Sequence, residues 1–411
     1  MRIVIKKSTL FFIFWASLLI VQSPLEQVNP FFNYLDEITA VLGIMMIILN
    51  FRKFSSLDTI YKEKTVITLL MIYVVIGLLA NLIYSYQPFS YVIQDLFVNI
   101  KFYLSVMFGA FLLSGDIDKK RSVQISSVMR FISLIFFILF IIDRFTPYFG
   151  YTEVRFGIKS LKLNYSHSTY LAAALAGLIT LLIVFYHKGN LKYIIIDTIM
   201  MIFTLRSKSF GAAVALIILG YIIFIHNGKF RVWQMFLLAF LGLLAGWSQF
   251  YFYFIHLSGK SARSGMLLTS FKIMKDYFPI GTGFATYASH MAGAHYSPVY
   301  VKYGFQYIYE LRNSTVGTFF DDQFWPIIFG QTGVIGTVVY IGILSIYFKR
   351  ISAIRYKNKY AYCGALFAYI YLLISSMAEP AFNNSVACLF GVVIGVVFKQ
   401  YCGSKIKYIG S

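Results

Sequence analysis

Apolar runs about as long as a bilayer is thick divide this chain from end to end. They fall at residues 8–23, 34–51, 64–84, 94–114, 123–143, 166–186, 191–205, 208–226, 231–254, 324–348, 360–378 and 384–399. A helix needs about 20 predominantly apolar residues to span hydrocarbon. The runs therefore predict an all-α polytopic membrane protein with about 12 transmembrane helices. Composition agrees: only 13% of the residues are charged, against roughly 25% in a soluble chain. Tyr and Trp favour membrane–water interfaces, so part of the aromatic excess reads as anchoring.

The loops set the orientation. Basic loops run from Arg52-Lys53 through Lys64, at Lys119-Lys120-Arg121, at His187-Lys188, from Lys229 to Arg231, and from Lys349-Arg350 through Lys359, with a basic tail after Lys399. They alternate with loops at 24–33, 85–93 and 379–383 that hold no Lys or Arg. Short basic loops face the cytoplasm, which places both termini there. The formal net charge of +20 is thereby explained by topology and requires no nucleic acid. Run 191–205 is short and could form a re-entrant hairpin with 208–226; losing both leaves the later loops on the same side. Arg2 to Lys7 before Leu10 to Val21 resembles the start of a signal peptide. No small-residue cleavage pattern follows, so it reads as a retained first helix. Cys363, Cys388 and Cys402 offer neither a disulfide framework nor a zinc site, and no metal or cofactor is expected.

One long polar interval, Lys260 to Gly336, interrupts the pattern. It divides the chain into N-terminal helices (1–254), an extracytoplasmic loop (255–323), and C-terminal helices with a basic tail (324–411). Within it Leu267, Phe271, Met274 and Phe278 recur at helical spacing on one face, with Lys272, Lys275 and Asp276 off it. Such a helix lies in the interface plane with its apolar side down, or packs that stripe on neighbouring helices. Either way Arg263 sits in its first turn. Pro279, Gly281 and Gly283 read as a helix stop and tight turn; a phosphate cradle built from their amides is the alternative.

Three loops placed outside are basic, against the topology bias. They are 144–165, with Arg144, Arg155, Lys159 and Lys162; 205–209, with Arg206 and Lys208; and 255–323, with Lys260, Arg263, Lys272, Lys275, Lys302 and Arg312. A bound anion would account for them, because Arg offers a planar donor fork suited to phosphate oxygens. The plain alternative is solvated charge or contact with lipid headgroups. It fits the lysines better than Arg155, Arg206 and Arg263, each at or near a helix end. Asp95, Asn99 and Lys101 fall in the outer part of the fourth span, where ionisable groups face a cavity or a partner. Lys101 either joins an outer cavity or snorkels. Arg130 reads as snorkelling, and Glu379 is open to either reading. His290 and His295 are proton acceptors near neutral pH or simply solvated, and His167 is similar. Asp321 and Asp322 precede the tenth span. They suit a general base for a sugar hydroxyl, with pKa raised by partial burial, unless one caps the helix.

With these pieces placed, the chain resembles the O-antigen polymerase and O-antigen ligase superfamily of membrane enzymes that assemble lipid-linked polysaccharides. The likeness is concentrated from Arg263 to Gly336: an Arg, a short amphipathic helix, Pro279-Ile-Gly-Thr-Gly-Phe284, then Asp321-Asp322-Gln-Phe-Trp and Gly333-Val-Ile-Gly336. Arg155-Phe-Gly with Asn164 to Ala172, and Leu205-Arg206-Ser-Lys-Ser-Phe-Gly211, are shorter matches.

The resemblance implies a GT-C-like helical fold in a bacterial cytoplasmic membrane and an inverting, metal-independent glycosyltransferase. Its donor and acceptor would be glycans on undecaprenyl pyrophosphate, with a chain-length regulator as a further partner. Carried over, Arg155, Arg206 and Arg263, with Lys101, would hold the pyrophosphate. Asp322, or Asp321 one register away, would be the base. Ligases of this kind carry His followed by Asn where this chain has Asp, which favours a repeat-unit polymerase. A ligase would turn attention to His290 and His295. A lipid-linked oligosaccharide flippase also fits about 12 spans, but it has little reason for one long outer segment, and no inverted repeat is visible.

Overall fold

The computed structural model describes residues 5–49, 60–113 (without the side chains of 60–63), 115, 117–146, 148–155, 157–234, 236–237, 240, 247, 251–257, 259, 261–312 and 319–402. Arg52, Lys53, Lys260, much of run 231–254 and the end of the basic tail lie outside them. The described chain is mostly helical. We number the helices α1 (Lys7–Ile20), α2 (Gln22–Val28), α3 (Leu35–Leu49), α4 (Ile60–Tyr84), α5 (Phe89–Leu112), α6 (Lys119–Phe145), α7 (Ser168–Val184), α8 (Leu191–Phe203) and α9 (Ser207–Gly220). They continue as α10 (Ala262–Asp276), α11 (His290–Ala294), α12 (Pro298–Lys302), α13 (Trp325–Ile354), α14 (Lys359–Ser375) and α15 (Ser385–Cys402). A two-stranded hairpin, β1 (Val154–Arg155) with β2 (Ile158–Lys159), precedes α7.

Among the described residues, seven helices are long and apolar enough to cross a membrane, or eight if α1 and α2, bent by 70°, form one broken span. The runs at 166–186 and 360–378 give α7 and α14, of 17 residues each, and 191–205 gives α8, of 13. α7, α14 and α15 are buried along almost their whole length and form the core. α4 and α6 have only a third of their residues buried, and large apolar side chains such as Leu82 and Phe131 cover their outer faces. A bundle apolar inside and out is suited to lipid. α5 and α15 cross at backbone distance: a Cβ on Gly109 would lie 2.1 Å from the Val392 carbonyl, and one on Gly395 2.0 Å from that of Val106. Small residues at such crossings are how helices gain contact where burial from water supplies no drive.

The long polar interval is not a separate lobe over this bundle. Its amphipathic helix, α10, packs on α13. Ala262, Gly265, Met266, Thr269 and Ile273 are buried, with Gly265 turned to Ile308 and Leu311. The Leu267–Phe278 stripe is the other face, with Phe271 50% and Phe278 70% exposed. The stripe is divided between the two alternatives: Phe278 is left outward, while the half-exposed Phe271 meets Phe329 of α13 with ring centroids 5.3 Å apart.

Residues 281–289 are buried without interruption. They enter a break in α13, where Gly333 adopts φ 60°, ψ −156°. There the Thr282 and Gly283 amides donate to the carbonyls of Gly330 and Gln331, and the Ile335 amide donates to that of Pro279. Asn81 of α4 closes two hydrogen bonds on the Phe284 backbone, at 2.7 and 2.9 Å. Asp95 of α5 accepts from the Ala285 amide at 2.7 Å and from Gln331 Nε2 at 2.8 Å. Broken helices at membrane depth persist where neighbouring groups satisfy the freed backbone. The phosphate-cradle reading of Gly281 and Gly283 fails on the same observation: the amides of 281 through 285 are all committed to the protein.

Candidate functional site

Docking the loop into α13 fixes what lies on either side of it. Immediately before α13, the Phe324 amide donates to Ser376 O, Gln323 Nε2 to Met377 O, and Trp325 Nε1 to Ser376 Oγ. This pins 323–325 to the end of α14. Asp321 and Asp322 sit in the turn ahead of that anchor. Neither caps α13, whose N-cap is Phe324, so the capping alternative does not hold for either aspartate.

Arg263 lies in the first turn of α10, as its spacing predicts. Its Nε is 3.6 Å from Asp322 Oδ2, and its guanidinium stands over the Tyr253 ring at 4.9 Å. Glu310 accepts from the Ala262 amide at 2.6 Å, so a carboxylate meets the positive end of the helix. Burial pushes the Asp322 carboxyl up to about 6; Arg263 opposes the shift, while Asp321 and Glu310 add to it. Asp322 is therefore ionised at neutral pH yet basic enough to take a proton. Arg263, Asp322, Met266, Phe320 and Pro326 line one narrow seam.

Arg155 and Arg206 are brought together by Glu153. The hairpin holds Glu153 through Ser160 Oγ, which accepts from the amides of Thr152 and Glu153 at 3.1 Å. The Leu161 amide then donates to Phe203 O, fastening the hairpin to the end of α8. Leu205 turns the chain with φ 56° and delivers Arg206. Arg155 and Arg206 each reach Glu153, at 2.9 and 3.3 Å. Arg206 also donates to Ser168 Oγ at 2.9 Å and to His167 Nε2 at 2.8 Å. Burial, then Arg206, Lys208 and Lys162, push the His167 imidazole down to about 4, so it is neutral. A neutral ring has one acceptor nitrogen; Arg206 and the Thr169 amide, 3.2 Å from Nδ1, compete for it.

The two groups share one field. Arg206 feels repulsion from both Arg155 and Arg263, and attraction to Glu153 and Glu379. Glu379 in turn pairs with buried Lys208 at 2.5 Å. A polar belt thus runs Glu153, Arg206, Arg263, Asp322, Asp321. It continues to His290, whose Nδ1 is 3.8 Å from Asp321 Oδ2. The Asp321 carboxylate holds the His290 imidazolium above its usual range.

Two predicted residues stand apart from the belt. His295 stacks flat on Tyr91, ring centroids 3.5 Å apart. Among its described contacts there is no aspartate. Lys101 lies in the middle of α5, only 4% exposed, in an ion pair with Asp36 of α3. It neither snorkels nor joins the arginines, because an ammonium at that depth is held by a carboxylate in contact with it.

Glu153 and Glu310 were not singled out from the sequence. A lone acid two positions from an Arg in a basic loop was the available signal for Glu153. Glu310 carried none.

No known protein family matches this chain, and no curated protein matches it either.

Proposed function

We propose that this protein is a membrane glycosyltransferase that polymerises repeat units carried on undecaprenyl pyrophosphate. The observation that carries the reading is the convergence of three arginines from separate loops beside an aspartate whose proton affinity lies near neutrality. In the reaction Asp322 takes the proton from an acceptor hydroxyl. That oxygen attacks the anomeric carbon of the donor sugar, and the bond from that carbon to the pyrophosphate oxygen breaks with inversion. Arg155, Arg206 and Arg263 stabilise the charge that accumulates on the leaving pyrophosphate. Glu153 and Asp322 hold the guanidiniums in place until phosphate oxygens replace them.

The test is the glycan profile of a deletion strain complemented with single variants. Loss of the polymer ladder, with single repeats still transferred to the final acceptor, supports the polymerase. Arg263→Ala, inserted at normal level, should reproduce that loss; full-length polymer from it would sink the reading. Intact long chains stranded on the lipid carrier would favour the ligase, with His290 beside Asp321 as its base. Lipid-linked units confined to the cytoplasmic face would favour transport.

A further inference from the structure

The opposite ends of the core helices hold a cavity that the proposed reaction does not use. α7 starts at Ser168, against Arg206. It ends at Val184, about 25 Å away at ~1.5 Å per residue. There a cavity of about 210 Å³ opens between the start of α6, the end of α7, the start of α14 and the end of α15. Lys119 opens α6, and Tyr401 lies in the last turn of α15; both helices are long and apolar enough to span a membrane. The cavity therefore sits where spanning helices leave the hydrocarbon, at headgroup depth.

Its lining is divided. Val184, Val396 and Val397 form an apolar floor, while Asp118, Lys119 and Ser122 stand on the rim. Asp118 and Lys119 are exposed neighbours of opposite charge. One Asp118 oxygen caps α6 by accepting from the Arg121 amide at 2.7 Å, and a carboxylate retains further acceptor capacity. The rim thus presents a carboxylate, an ammonium and a hydroxyl above a surface for methylene groups, and Tyr186, His187, Asn358, Tyr360 and Tyr401 complete the polar lining.

We propose that this cavity binds a phospholipid whose headgroup carries a primary ammonium next to its phosphate, the chemistry of phosphatidylethanolamine. The ammonium donates to Asp118; the phosphate accepts from Lys119 and Ser122; the first methylenes of the chains cover the valines. A purely anionic headgroup sets a second negative charge beside Asp118 and adds no donor to the Arg121 amide that the carboxylate already has. A choline headgroup has the charge but no N–H to give. The proposal is independent of the glycosyltransferase reading and survives its failure.

The test is lipid retention by the purified full-length protein in mixed micelles, read by native mass spectrometry. Palmitoyl-oleoyl phosphatidylethanolamine, phosphatidylcholine and phosphatidylglycerol are the three probes. The ethanolamine lipid should be held roughly tenfold more tightly than either other lipid, the value of one charge-assisted hydrogen bond. Asp118→Asn removes the charge but keeps a good helix cap, and should erase that preference while the melting temperature in lipid-free detergent stays unchanged. Lys119→Gln should weaken the ethanolamine and glycerol lipids alike. Equal retention of the ethanolamine and glycerol lipids by the wild type, or an Asp118→Asn protein with its preference intact, would overturn the proposal.

Discussion

Replacing Gly281 by Ala tests whether the buried loop is built into the broken helix as described. Gly281 has φ 74°, and a Cβ there would lie 2.5 Å from Gly333 N, 2.6 Å from Gly330 O and 2.8 Å from Gln331 C. All three are backbone atoms, which cannot rotate aside. Gly157, in the β1–β2 turn, has nearly the same φ, 73°, but a methyl group there would meet nothing within 4 Å. The pair therefore separates two costs. The left-handed backbone costs a non-glycine residue roughly 1–2 kcal/mol, and both variants carry that. Overpacking adds roughly 1–3 kcal/mol, and only Gly281→Ala carries that. Gly157→Ala should lose about 1–2 kcal/mol and Gly281→Ala about 2–5 kcal/mol. The assay is unfolding of both purified variants in one detergent, with insertion checked by membrane fractionation. A Gly281→Ala protein as stable as Gly157→Ala would refute the docking of this loop against residues 330–333.

Asp322, held near 6 mainly by burial, must be ionised to act as a base. In vitro polymerisation should therefore rise with pH through about 6. Glu310→Gln removes a negative charge that adds to the shift, so it should move that midpoint downward; a wild-type midpoint near that of a free carboxylate, about 4, would argue against the role. Glu153→Gln removes the carboxylate shared by Arg155 and Arg206. These pairs are only partly buried and still reached by solvent, so they are worth on the order of 1 kcal/mol; stability should change little, while inorganic pyrophosphate, titrated calorimetrically, should bind several-fold tighter. Unchanged affinity would show that Glu153 does not compete with phosphate. Asp321→Asn should bring the His290 titration down toward about 6.5, followed by proton NMR of the ring; an unmoved midpoint would mean that Asp321 is not its partner.

The helices were legible because hydrocarbon leaves the chain few choices. Run 64–84 appears as Lys64–Tyr84, and run 123–143 falls inside α6. Apolarity does not distinguish a helix facing outward from one enclosed by other helices, so the runs alone do not tell that α7 and α14 are the enclosed ones. On α10 the spacing leaves the Leu267–Phe278 stripe either at the interface or packed on neighbours. The fold exposes Phe278 and sets Phe271 against Phe329, a division that periodicity alone does not carry. In the polar belt, Arg155, Arg206, Arg263, Asp321 and Asp322 could be picked out because cations on the unexpected side and acids at a membrane edge require an explanation. Lys101 met the same criterion, yet its charge is answered by Asp36, 65 positions earlier. Spacing along the chain carries no record of a partner that far away. The same limit hid the work of Asn81 and Asp95.

Asn81 and Asp95 have a further consequence for how the protein is made. Their partners, the Phe284 and Ala285 backbones, lie 203 and 190 residues later in the chain. At roughly 5–20 residues per second, synthesis takes on the order of 10–40 s to cover that interval. Throughout it, the Asn81 amide lacks its Phe284 partner, and the Asp95 carboxylate has Asn99 of its own helix at 3.5 Å but neither the Ala285 amide nor Gln331. Only when the loop arrives and α13 follows with Gln331 can the first third of the molecule settle fully into lipid. Completion of the bundle's hydrogen bonding is thus timed by its own late segment, and a chain that stops short of residue 331 lacks the Gln331 donor to Asp95.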